Sequence, residues 1–205
     1  MEDNWAGSIM NIIDRVIKLI VLNLLWMLFT LLGLVAFGIV PATATVFIII
    51  RKWINDEVTP NLFQEFWNNF KESFVSSNLV GLVFIGVGLF LYIDINILLG
   101  SNILIIKILL SLLFMLCLLY IATLLNFFPL YARYRMSSIN YLKLSLVVGL
   151  SNPITTLLMM LWLLVVAVLT LRYTVLIPLV MISLICVGVN WLSMKRLEKK
   201  PLYEE

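Results

Sequence analysis

Apolar positions along this chain gather into long runs rather than into the short, alternating patterns of a soluble fold. Residues 79–100, 103–125, 153–171 and 174–194 are each predominantly apolar. Each offers about the 20 residues a helix needs to cross roughly 30 Å of hydrocarbon. A fifth run, residues 19–50, holds 32 residues, which as one helix would be about 48 Å long, too long for an ordinary crossing. Gly33, Gly38 and Pro41 interrupt it, and each weakens or stops a helix. The pattern therefore predicts a helix over 8–32, an irregular turn over 33–40, and a second helix over 41–55. Pro41 suits a first helical position, where its missing N–H costs nothing. That second helix would be about 22 Å long, so it crosses thinly or re-enters the membrane.

Two further segments are amphipathic. In residues 59–74, Phe63, Phe66, Trp67, Phe70 and Phe74 recur at helical spacing and form one aromatic stripe. Thr59 and Pro60 read as an N-cap and first-turn pair. Gln64, Glu65, Asn68, Asn69, Lys71 and Glu72 make the opposite face. A cytoplasmic interfacial helix fits this pattern, and so does a helix packed beneath the bundle. Residues 137–150 are a weaker amphipathic case, entering the membrane at a shallow angle before the Asn152-Pro153 break. Asn152 is expected to cap the helix that follows.

Charge decides between topologies. The chain carries 14 Lys and Arg against 11 Asp and Glu, a formal net charge of +3. Basic residues collect in cytoplasmic loops. Six segments place twelve of the fourteen on one side, leaving only Lys107 and Arg172 on the other. Five crossings would strand Arg15 and Lys18 on the wrong face. The expected architecture is all-α: a polytopic membrane protein with about six segments, the second short or re-entrant, and both termini cytoplasmic. Residues 1–205 read as a single integral membrane domain, with 195–205 a short charged cytoplasmic tail. The N-terminus opens with acids rather than a basic region and lacks an Ala-x-Ala cleavage site, so the first apolar segment is expected to persist.

Composition removes function classes. The chain is 63% hydrophobic and 12% charged, with a mean hydropathy of +1.11. Soluble domains sit near 45–50% apolar and about 25% charged. An integral membrane protein in contact with the lipid bilayer is implied, and soluble, disordered and nucleic-acid-binding classes fall away. There is no histidine, which removes the commonest general base and metal ligand. Cys117 and Cys186 stand alone in apolar runs and make no zinc or redox spacing. No phosphate loop, dinucleotide fingerprint or nucleophile motif is present. Asp94 is the sole acid inside an apolar stretch, and one carboxylate is not an acid–base pair. No catalytic residue, cofactor or metal is expected, and the chain reads as a non-enzyme.

Some polar residues still suggest roles. Asp94 and Lys107 lie about equally far from a turn at Gly100-Ser101-Asn102, so they are candidates for an intramembrane ion pair. Asn23, Thr30, Thr123, Asn126, Thr155 and Asn190 are candidates for a cytoplasm-facing polar cavity; interhelical hydrogen bonding is their ordinary use. Tyr120 and Thr156 sit beside them. Gly81 and Gly88 share a helix face and suit close helix approach. Phe63, Phe66, Trp67 and Phe70, with Arg133 and Arg135, offer a candidate partner surface. The two arginines and the KRLEKK tail also fit a plain topological role.

The stretches NLLWMLFTLLGLVAFGIVPATATVFIIIRKW, LFQEFWNNFKESF, NFFPLYARY and SNPITTLL resemble the YesL-like family of bacterial membrane proteins, catalogued as domain of unknown function 624. The resemblance runs from about Ile12 to Trp191. The family commonly has Gly immediately before the proline of the Pro41-Ala42-Thr43-Ala44 turn; here Val40 stands there, with Gly38 two back. The resemblance implies a small multi-pass protein of the bacterial cytoplasmic membrane, often encoded beside carbohydrate ABC uptake systems and their sensors in Gram-positive bacteria. It carries over no functional residue. The expected function is thus a non-enzymatic accessory or regulatory membrane protein, with an ABC transporter or sensor subunit as partner. The alternative is a small-solute transporter or channel, although transporters usually show two related halves and no such repeat is visible.

Overall fold

The structure, a computed structural model, describes residues 5–57, 61–99 and 104–199. Its described residues form α1 (Trp5–Leu32), α2 (Ile39–Ile54), α3 (Leu62–Leu99), α4 (Leu104–Arg133), α5 (Ser138–Ser151), α6 (Pro153–Arg172) and α7 (Leu176–Lys199). Five of them, α1, α3, α4, α6 and α7, are long and apolar enough to cross a membrane. The 16-residue α2, about 24 Å long, is the short segment. The all-α polytopic fold expected from the apolar runs is the fold of the chain.

The turn between α1 and α2 is tighter than a hydropathy pattern can show. Val35 N–H donates to Thr30 O at 2.9 Å and Gly38 N–H to Val35 O at 3.2 Å. The backbones come so close that a Cβ on Gly33 would strike Gly38, and one on Gly38 would strike the Thr30 carbonyl. Glycine is therefore used for close approach, while the left-handed conformations fall on Leu34 (φ 56°) and Val35 (φ 61°). Left-handed backbone is strained for side chains like these.

In one respect the pattern misleads. The aromatic segment is not a separate helix but the first turns of α3, which runs unbroken for 38 residues. Nothing from Leu62 to Val80 is a Gly or Pro, and the serines are tolerated, with Ser76 Oγ turned back towards Ser73 O at 3.5 Å. The Thr59-Pro60 pair lies outside the described residues. Asn61 holds the helix start, its Oδ1 accepting from Gln64 N–H at 3.1 Å.

The core centres on α2, which packs against α1, α3, α4 and α7. Ala42, Val46, Ile49 and Ile50 are buried there. Helices in lipid gain little from hydrophobic burial, so close van der Waals fit and hydrogen bonds do the joining. Phe47 stacks on Phe128 with ring centroids 5.3 Å apart, and Trp26 Nε1–H donates to Thr43 Oγ1 at 3.0 Å. Gly81 faces Val40, and Gly88 faces the Tyr120 hydroxyl. The α3–α4 pair is antiparallel, its register held where Ser76 Oγ meets Tyr131 Oη at 2.6 Å and Tyr120 O–H donates to Phe84 O at 3.1 Å. Its distal half presents large apolar side chains outward, among them Ile93, Ile97, Ile108 and Leu112.

Candidate functional site

The basic residues of four separate chain segments, Arg15 and Lys18, Arg51 and Lys52, Arg133 and Arg135, and Arg196, lie towards one end of the bundle. Arg51 donates to Ala132 O at 2.7 Å, Lys52 pairs with Glu65 at 2.7 Å, and Arg135 pairs with Glu72 at 2.9 Å. A cavity of about 220 Å³ lies between them, lined by Arg51, Lys52, Glu72, Arg133, Arg135 and Tyr141 among others. Tyr141 fastens the link into α5: its O–H donates to Tyr134 O at 2.6 Å and accepts from Met136 N–H at 3.1 Å. Burial raises its phenol above the ordinary range, and the Met136 bond works in the opposite direction.

Above this end the interior polar side chains tie helices together. Asn23 of α1 clamps α7, donating to Pro178 O at 2.7 Å and accepting from Ile182 N–H at 3.0 Å. Asn190 of α7 donates to Phe47 O of α2 at 2.9 Å. Asn126 of α4 donates to Thr156 Oγ1 at 3.3 Å and accepts from Arg196 Nη1 at 2.8 Å. Thr123 bonds back to Leu119 O in its own helix. Thr30 is buried, with no hydrogen-bond partner for Oγ1. Of the six candidate cavity residues, Asn23, Asn126 and Asn190 thus make separate ties between helices along the bundle. Thr155 alone lines a sizeable opening, a crevice of about 660 Å³ between the start of α6 and the end of α7.

Arg196 is the polar residue that the pattern missed. It stands at the edge of the presumed charged tail, yet it is only 8% exposed and belongs to the last turns of α7. A signal was present: Asn190, Ser193 and Arg196 recur every third residue, and all three are buried, so one face of α7 is polar. Asn152 occupies the N-cap position of α6 but makes no side-chain cap hydrogen bond, against the capping expected of it. Its backbone, at φ −135° and ψ 65°, accompanies the sharp bend between α5 and α6.

The aromatic stripe divides. Phe66 and Phe70 are buried, packed around Phe29 of α1 at centroid distances of 4.8 and 5.2 Å. Phe63 and Trp67 stay 54% and 41% exposed, and Lys71 Nζ sits 4.9 Å over the Trp67 ring. Any surface offered by this stripe therefore consists of Phe63 and Trp67; the exposed Arg135 is paired with Glu72, on the polar face of α3. Asp94 and Lys107 form no ion pair among the described residues, which corrects the pairing expected of them. The Gly100-Ser101-Asn102 turn on which that expectation rested lies outside the described residues.

Helices of this length and polarity, joined by interior amide ties and basic at one end, define a polytopic α-helical membrane protein. The chain belongs to the family described as "Protein of unknown function, DUF624", whose model matches residues 19–95, from the apolar part of α1 to the distal part of α3. It is 31% identical to the uncharacterized protein YesL of Bacillus subtilis (strain 168) over 159 residues, 78% of this chain and 75% of YesL. The uncharacterized protein YesV of the same organism is 32% identical over 143 residues, 70% of this chain and 69% of YesV. For YteU, also uncharacterized, the figures are 38% over 100 residues, 49% of this chain and 45% of YteU. No solved structure matches the chain.

Proposed function

We propose that this protein is a non-enzymatic accessory or regulatory subunit of the bacterial cytoplasmic membrane, acting through contacts at its basic, cytoplasmic end. One observation carries the reading. The interior amides are engaged in bonds between helices (Asn23 to α7, Asn190 to α2, Asn126 to Arg196 and Thr156), which is the construction of a scaffold rather than of a solute path. The absence of histidine supports the non-enzymatic part. The family resemblance supplies the partner class, a carbohydrate ABC uptake system or its sensor.

The test places a photo-crosslinking residue at Phe63 or Trp67, the exposed part of the aromatic stripe, in living cells. An adduct containing a transporter or sensor subunit is expected. Absence of any such adduct from these sites, and from Arg135, would sink the reading. Solute flux in proteoliposomes that falls on Asn126→Leu would favour the transporter alternative. For the orientation, a cysteine at exposed Lys71 should react with an impermeant reagent only after the cells are opened.

A further inference from the structure

The crevice between α6 and α7 carries features that the accessory role leaves unused. Its inner end is the N-terminus of the 20-residue α6, which begins Pro153-Ile154-Thr155 and has no side-chain cap. The first backbone N–H groups of a helix have no partner within it, and the helix dipole favours negative charge there. Lys195 and Arg196 line the same crevice. Arg196 is nine-tenths buried; Nη1 is held by Asn126, while Nη2 is buried without a hydrogen-bond partner. A buried guanidinium nitrogen left unpaired is costly, so a second acceptor is wanted at that spot. With no acid among the described residues that line the crevice, an oxyanion supplies it.

The other walls of the crevice are apolar and lead on. Leu158, Trp191 and Leu192 line it and also line an adjoining groove of about 430 Å³, bounded by Leu161, Trp162 and Val165, with no polar lining. Leu158, Leu161 and Val165 are more than two-fifths exposed, on a helix that spans the membrane, so the groove opens towards hydrocarbon. Arg196 closes the 21-residue span Leu176–Arg196, whose length of about 31 Å sets its guanidinium at the edge of the hydrocarbon, where lipid phosphates lie. A cationic pocket at phosphate depth, continuous with a dry groove between two helices, matches a headgroup and an acyl chain joined in one molecule.

We propose that this crevice is a binding site for an anionic phospholipid. The phosphate takes the α6 N-terminus and Lys195 and draws Arg196 outward to bond Nη2, which is otherwise sealed from solvent, and one acyl chain lies along the groove at Leu158 and Trp162. The same oxyanion chemistry occurs in soluble phosphates, and the continuous apolar groove favours the lipid.

The test uses the full chain in bilayers containing a trace of spin-labelled phosphatidylglycerol or phosphatidylcholine, reading the immobilised fraction of each. Phosphatidylglycerol should be preferred by about fivefold, roughly the factor that one basic residue near an anionic surface contributes. Lys195→Gln and Arg196→Gln should abolish the preference, and Arg196→Lys should restore part of it. Lys195 is exposed, so its variant informs even if loss of the buried arginine disturbs folding. Leu158→Trp, which fills the groove, should lower retention of both lipids. Equal immobilisation of the two lipids by the unaltered protein would overturn the proposal. So would displacement of phosphatidylglycerol by millimolar inorganic phosphate or glycerol phosphate at moderate salt, which would assign the pocket to a soluble anion.

Discussion

The α1–α2 hairpin closes through a turn in which two glycines touch backbone, and its second helix is sheltered by α1, α3, α4 and α7. The α3–α4 hairpin is longer, is held by tyrosine contacts near its basic end, and turns most of its distal side chains outward. From Ser76 to Leu99 α3 climbs about 34 Å, enough to cross the hydrocarbon, whereas the whole of α2 covers about 24 Å. Both hairpins are built from apolar sequence of similar character. The difference shows that apolarity serves two purposes in this chain, protein core in one hairpin and lipid-facing surface in the other. A short helix is tolerated at membrane depth when other helices cover it, because no backbone group then meets lipid unpaired.

The contrast is sharpest at glycine. Gly38→Val would drive a side chain into the Thr30 carbonyl, whereas a Cβ at Gly86 meets nothing within 4 Å. Unfolding titrations in mixed micelles should show Gly38→Val losing roughly 3 kcal/mol or failing to yield folded protein, with Gly86→Val within about 1 kcal/mol of the unaltered chain. Similar losses at both positions would break the distinction between the hairpins.

A smaller effect is expected at the amides. Asn23→Leu removes the clamp on Pro178 and Ile182 and should cost about 1–2 kcal/mol. Asn96, whose amide only bonds back to Tyr92 O on the same helix, should tolerate leucine with a change of about 0.5 kcal/mol or less. Double-mutant analysis with Ser183→Ala, which removes the neighbouring bond to Leu19 O, would show coupling only in the first case.

The smallest effect is expected at the strained turn. Leu34→Gly relieves a left-handed conformation, partly offset by the added freedom of the unfolded chain, and should raise stability by about 0.5 kcal/mol. Destabilisation by this substitution would mean that the Leu34 side chain holds the turn by contacts that outweigh its backbone strain.

Much of the fold was legible because a membrane simplifies the code. A run of about 20 apolar residues has few alternatives to a helix, so α1, α6 and most of α4 and α7 follow from the pattern. The break at Gly33–Gly38 was legible too, since those residues interrupt a run too long for one crossing. The fusion of the aromatic segment into α3 was not, because Ser76, Ser77 and Asn78 permit either continuation or a break. The amide ties were foreseeable as a type of bond but not in their partners. Asn126 meets Arg196, seventy positions away, only because α4 and α7 pack side by side at one end.

The sequence by itself determined that this chain is a helical membrane protein, where α1, α2 and α6 begin and end to within a few residues, and which segments carry the basic residues. Hydrophobic run length and charge are local quantities, and the bilayer reads them directly. Only the tertiary structure decided that α2 forms the core, that Phe66 and Phe70 face inward, that Asp94 misses Lys107, and that Arg196 is buried beside an uncapped helix start. These depend on the rotation and register of one helix against another, set by the summed fit of many small contacts, no one of which is written in any single segment.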